Sequence, residues 1–275
     1  MCYLYHYTSL ETLALILKSR TIRFNNLSAV DDLEEAQTED MGYFGQCVYV
    51  SCWTENPEES IILWNMYTPK MTGVRIALPV NPFKKYLYKK GQFFFTEDVE
   101  SYIDYQQLTD EDKIGITSDA PQLTEVEYTS DENKIFPRVK YETSHVSSDE
   151  SRHSNTKTTT TTFDTSALGR YKRDIWQFQE EWRYKITAFP VGIKERLQPN
   201  LNVCETIINR VENLAKTYPN LYLHIADDAF QQLKITMGPS TTDAQKIILQ
   251  ALCDKYCPTV SLKESALCNK VRAKS

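Results

Sequence analysis

Trp176-Gln177-Phe178-Gln179-Glu180-Glu181-Trp182-Arg183-Tyr184-Lys185-Ile186 is the stretch around which the chain is organised. From Trp182 onward, large apolar residues (Trp182, Tyr184, Ile186) alternate with polar ones (Arg183, Lys185, Thr187), the period of two expected of a half-buried strand. Successive side chains on a strand point to opposite sides, so an extended conformation starting at Gln179 puts Gln179, Glu181 and Arg183 on one face. A carboxylate with an amide beside it suits a site that grips a ribose or steadies a developing cation, since both tasks need a fixed anion with a hydrogen-bonding neighbour. The plain alternative is a strand edge with a solvated Glu–Arg pair, which contributes little.

Just upstream, residues 144–162 are rich in Ser and Thr and too poor in apolar surface to offset their ordering entropy, so they read as a mobile low-complexity insertion. At the N-terminal end, Tyr3-Leu4-Tyr5-His6-Tyr7 reads as a strand, and Ser9 caps a helix with Leu10, Leu13, Ala14 and Leu17 at helical spacing. Thr21-Ile22-Arg23-Phe24 forms a second strand. Asp31-Asp32-Leu33-Glu34-Glu35 is either a solvated helix start or a loop presenting acids to a pocket. The run 47–53 is a strand, and Ser60 starts a helix through Trp64 and Tyr67 that ends at Thr68-Pro69. Residues 73–79 supply a further strand. Past Pro190, a helix is expected over 206–218, a strand over 230–237, and a helix capped by Thr242 with Ile247, Ile248, Ala251 and Leu252 on its apolar face.

The 275 residues suffice for one large domain with a substantial core, and 17 Tyr against 8 Gly suggest a strand-rich fold with aromatic pockets. A net charge of −6 argues against broad adhesion to nucleic acid or anionic membranes. Seven cysteines without a C-x-x-C pair fit reduced thiols better than a disulfide framework or a zinc ribbon, and no metal site is expected. Met1 leads straight into the first strand and no apolar run approaches a membrane span, so a soluble cytoplasmic protein is expected.

Three stretches in this order resemble the signature of ADP-ribosyltransferases of the His-Tyr-Glu class. Tyr5-His6-Tyr7-Thr8 resembles the family's first strand. Residues 48–51, then Ser60 and Tyr67, then 74–78 resemble its strand, Ser-led helix and strand. Gln179 and Glu181 before Trp182-Arg183-Tyr184 resemble its Gln-x-Glu element at the start of a strand. The resemblance implies an α+β fold of split antiparallel β-sheets flanked by helices, formed by residues 1–275 as a single domain, with 200–275 a helical part packed on it. It implies NAD as substrate and ADP-ribosyl transfer to a protein side chain or nucleic-acid base. Glu181 would stabilise the oxocarbenium-like ribose and Gln179 would address the acceptor. His6, Tyr7, Thr8, Tyr49, Ser60, Tyr67 and Arg183 would hold NAD, with Tyr67 against the nicotinamide and Arg183 available to the pyrophosphate. A toxin or phage-defence setting would suit such a bacterial transferase. A non-catalytic nucleotide- or protein-binding module and an NAD glycohydrolase are the alternatives. Over nearly its whole length the chain also resembles a bacterial family of unknown function, through His6-Tyr7-Thr8, 31–35, Trp64-Asn65-Met66-Tyr67, 179–183 and Met237-Gly238-Pro239, although its loop lacks a Pro and Gln179 replaces a Glu.

Overall fold

In a computed structural model of the chain, the described residues are 3–93, 95–106, 114–118, 120–147, 157–196, 198, 201–260 and 262–272. The strand pattern places β1 at Tyr3–Thr8, β2 at Thr21–Asn26, β3 at Val48–Thr54, β4 at Val74–Pro79, β5 at Gln122–Glu125, β6 at Glu181–Phe189, β7 at Asn220–His224 and β8 at Lys234–Met237. The principal helices are α1 (Leu10–Ser19), α2 (Ile61–Tyr67), α3 (Val203–Arg210) and α4 (Asp243–Tyr256). The architecture is mixed α+β with open antiparallel pairing and several helices.

The main sheet runs β7-β2-β3-β1-β4-β8, and β6 lies along the other edge of β3, from Glu181↔Thr54 to Thr187↔Val48. Strand β3 is forked. On the edge away from β6 it meets β2 only at Asn25↔Val50 and Asn26↔Tyr49, and β1 only at Tyr5↔Thr54. Between these two contacts β1 and β2 part from it, and the groove described below opens there. The core lies on the apolar faces of these strands, where Leu4, Ile22, Phe24, Tyr49, Ile76, Tyr184 and Ile186 pack against Leu13 and Leu17 of α1 and Leu249 of α4. Gly238 is required by close approach: a Cβ there would sit 2.2 Å from the Met71 carbonyl.

Local capping signals translate directly into structure. The Ser9 and Ser60 side chains accept from the Thr12 and Leu63 amides, and Thr242 forms a reciprocal capping box with Gln245. Elsewhere the expectations need correction. Gln179 is not on the strand: residues Asp174–Gln179 form a 3-10 helix, and Glu180 at φ 44° turns the chain so that β6 begins at Glu181. Nor is β6 a half-buried edge, because Glu181, Arg183 and Lys185 are as buried as Tyr184 and Ile186. The expected insertion at 144–162 overlaps a hairpin of Lys140–Ser147 with Lys157–Asp164, and its residues 148–156 lie outside the described residues.

The 200–275 part is not simply helical, since it adds β7 and β8 to the main sheet against β2 and β4. The helix expected over 206–218 is broken by a 3-10 turn at Val211–Asn213. Phe230 and Gln231 belong to a helical turn, Asp227–Gln231, rather than to β8. On α4 the buried side chains are Leu249 and Cys253, and Ile247 and Ile248 face solvent. Among the described residues no helix is long and apolar enough to cross a membrane.

Candidate functional site

Two cavities meet at the fork. A small cleft is lined by Tyr5, His6, Tyr7, Tyr67, Gln179 and Glu181 among others. It adjoins a larger groove that shares His6, Tyr7, Tyr67 and Glu181 with it and is also lined by Thr8, Arg23 and Tyr222. The register explains the convergence: Thr54 of β3 has Glu181 on one edge and Tyr5 on the other, so β6 and β1 deliver their side chains to the same end of β3.

The centre of the site is a buried quartet, Glu35, Lys172, Glu181 and Arg183, with two anions and two cations. The Arg183 side chain is 0% exposed, and its five N–H donors are all spent. Nε donates to Glu181 Oε1 at 2.6 Å, Nη1 to Glu35 and to the Gly169 carbonyl, and Nη2 to Glu35 at 3.0 Å and Glu181 at 3.1 Å. Lys172 Nζ meets Gln179 Oε1 at 2.7 Å, Glu181 Oε2 at 2.8 Å and Glu35 Oε1 at 3.2 Å. Burial of this kind is tolerable because the charges cancel and are hydrogen-bonded.

Desolvation alone would push the Glu181 pKa up, but the charges of Arg183 and Lys172 outweigh it and hold the carboxyl at about 2. At Lys172, burial and Arg183 pull downward, yet the attraction of Glu181 and Glu35 leaves its pKa raised. The Cys52 thiol, also hydrogen-bonded to Glu181, is pushed well up by burial and then by the Glu181 charge. Glu181 is therefore an anion held in place, its backbone N–H donating to Tyr128 Oη at 2.9 Å.

A hydrogen-bond chain leads from the quartet to the rim. Gln179 Nε2 donates to Tyr67 Oη at 2.6 Å, and Tyr67 Oη donates to Asp31 Oδ2 at 2.7 Å. Burial, then the Asp31 bond and charge, raise the Tyr67 pKa, so Tyr67 stays a neutral phenol. Across the fork, His6 Nδ1 lies 2.7 Å from the Cys52 carbonyl. A carbonyl can only accept, so Nδ1 carries the proton and Nε2 of the neutral ring remains an acceptor. Burial, reinforced by Arg23, outweighs that bond and lowers the His6 pKa, which keeps the ring neutral.

The other expected site residues divide. Tyr7 and Thr8 line the groove, and Tyr7 Oη accepts from the Ser60 amide at 3.0 Å. Ser60 itself caps α2 and borders a neighbouring pocket with Leu63 and Phe178. Tyr49 does not reach the cleft: it is fully buried in the core with its hydroxyl on the Tyr218 carbonyl at 2.8 Å. Arg183 borders the groove but has no donor left for a pyrophosphate. Of the residues that sequence reasoning misses, Glu35 carries a partial signal, since the acid run can be read as a loop presenting carboxylates to a pocket. Lys172 carries none, because its partners are set by tertiary contacts.

Residues 63–184 match the profile of a family described as a protein of unknown function (DUF2971). That stretch contains Tyr67, Lys172, Gln179, Glu181 and Arg183 but not His6, Arg23 or Glu35, so the match covers less of the chain than the sequence resemblance. No curated protein and no solved structure matches the chain. Over residues 63–184 the chain is similar to an unknown-function domain family.

Proposed function

We propose that the fork of β3 is the nucleotide site of an ADP-ribosyltransferase-like fold, and that the protein cleaves the N-glycosidic bond of NAD and transfers ADP-ribose to a protein side chain or nucleic-acid base. The observation that carries this reading is the convergence on the cleft of His6 and Tyr7 from β1, Tyr67 from α2, Gln179 from the 3-10 helix before β6, and Glu181 at the start of β6, with Thr8 lining the adjoining groove. Breaking that bond develops positive charge on the ribose, and a preorganised anion stabilises it most where water is excluded. Glu181 meets both conditions, being buried, ionised and fixed from two sides. Tyr67 offers its ring to the nicotinamide, and His6 Nε2 can accept from a ribose hydroxyl. Gln179 stands between the Glu181 cluster and the rim, where an acceptor would approach.

A second reading, a non-catalytic nucleotide-binding module, is favoured by one feature: Arg183, Lys172 and the Cys52 thiol occupy most of the acceptor capacity of Glu181. The two readings separate on incubation of the protein and a cell extract with labelled NAD, read by mass spectrometry for ADP-ribosylated acceptor and for free ADP-ribose. A transferase yields labelled acceptor, and a glycohydrolase yields only free ADP-ribose. Neither product, with NAD bound, would leave the binding module.

A further inference from the structure

Three cations border the groove: Lys172, Arg183 and Arg23. The first two are buried and spent within the quartet. Arg23 is exposed, and its guanidinium has no hydrogen-bond or ion-pair partner among the described residues. Its direction follows from the strand: Thr21, Arg23 and Asn25 share the face of β2 that lines the groove, and Ile22 and Phe24 turn into the core. Of the groove's carboxylates, Glu181 is neutralised by its cations and Asp31 accepts from Tyr67. Of the three cations lining the groove, Arg23 is thus the one whose side chain is left unpaired among the described residues. Its field reaches the site, because it helps to lower the His6 pKa.

Directly across the ladder, Arg23 pairs with Tyr222 of β7. Tyr222 is 56% exposed and lines the same groove, and its side chain has no ring or hydrogen-bond partner among the described residues. A solvent-facing tyrosine on a rigid strand costs little to order and offers a flat π face, while a guanidinium recognises phosphate oxygens in a bidentate manner. Side by side, they match a purine joined to phosphates.

We propose that Arg23 and Tyr222 form the site for the adenosine diphosphate half of the nucleotide, Arg23 holding its phosphates and Tyr222 stacking on its purine. This rests on reading the groove as a nucleotide site but not on catalysis at Glu181. It also gives the phosphate role expected of Arg183 to a residue with donors to spare.

Calorimetric titration of the full chain with ADP and, separately, with inorganic pyrophosphate tests it. Wild type binds both. Arg23→Gln weakens both by about tenfold or more, the loss expected for a charge-assisted hydrogen bond, and Arg23→Lys recovers part of it. Tyr222→Ala weakens ADP about fivefold or more but leaves pyrophosphate unchanged, and Tyr222→Phe behaves as wild type, because stacking needs the ring alone. Both side chains are exposed, so thermal midpoints should match wild type and loss of binding would not be loss of fold. Failure of wild type to bind ADP, an Arg23→Gln protein with undiminished affinity, or an equal loss of pyrophosphate and ADP in Tyr222→Ala would overturn the proposal. The transferase reading fails separately: ADP binding as described without NAD cleavage sinks that reading alone, and NAD cleavage with unchanged KM in Arg23→Gln sinks this one alone.

Discussion

Arg183 and Arg23 border the same groove and have opposite chemistry. Arg183 is buried with every donor committed to Glu35, Glu181 and Gly169, whereas Arg23 is exposed and unpartnered among the described residues. The first is committed to the field around Glu181, and the second keeps its side-chain donors available to solvent or to a ligand. A buried cation is tolerated when protein anions satisfy it, and the same satisfaction removes it from substrate binding. An arginine beside a cleft is therefore a ligand contact only if its donors are free.

The largest effect that would break this contrast is on stability. Glu35→Gln and Glu181→Gln each leave one excess positive charge in the buried quartet, and each should cost about 3–5 kcal/mol in urea unfolding. Arg23→Gln should cost within about 0.5 kcal/mol, as for surface substitutions generally. A comparable loss at Arg23 would show that it, too, is structural.

The second effect is a pH window. Glu181 has its pKa depressed from 4.5 to about 2, so it contributes stability that is fully present above pH 4.5 and lost as pH falls toward 2. Linkage gives about 3 kcal/mol for that shift. Acid titration of unfolding free energy should show this slope in wild type and a shallower one in Glu181→Gln. Identical slopes would mean that the quartet does not hold the charge.

Turnover separates the two carboxylates. Glu35 and Glu181 bind the same two cations, but of the pair only Glu181 borders the cleft. On the proposed function Glu181→Gln removes the transition-state anion and should reduce NAD cleavage by about 10²-fold or more, with Glu35→Gln falling less when both are assayed at a temperature where they are folded. Equal losses would assign the effect to the fold rather than to chemistry at Glu181.

The smallest effect concerns Gln179. Because it bridges Lys172 and Tyr67 behind the rim, Gln179→Ala should reduce transfer more than hydrolysis of NAD, a change of several-fold in product ratio, on the order of one lost hydrogen bond. An unchanged ratio would make Gln179 a brace for Lys172 and Tyr67 only.

Local physics is legible in the residues themselves. Short apolar or aromatic runs locate β1, β3 and β4, the period of two locates the body of β6, and the capping residues Ser9, Ser60 and Thr242 locate the starts of α1, α2 and α4. These signals are encoded within a few residues, where propensity and capping act. Pattern and fold diverge where neighbours compete with local preference. Phe230 alternates with its neighbours as a strand would, yet it lies in a helical turn that buries it against the core. Ile247 and Ile248 have helical spacing, yet the packing of α4 selects Leu249 and Cys253.

The site divides in the same way. The sequence singled out His6, Tyr67, Gln179 and Glu181 by residue type and order along the chain, and these four do line one cleft. Only the tertiary structure decided what each is free to do. Glu35 reaches Arg183 across 148 residues of sequence, Lys172 closes the quartet, and the turn at Glu180 detaches Gln179 from the strand while still aiming it at the cluster. Charge, desolvation and donor count act through space, so whether an arginine holds a protein carboxylate or waits for a phosphate is decided by what the fold packs around it.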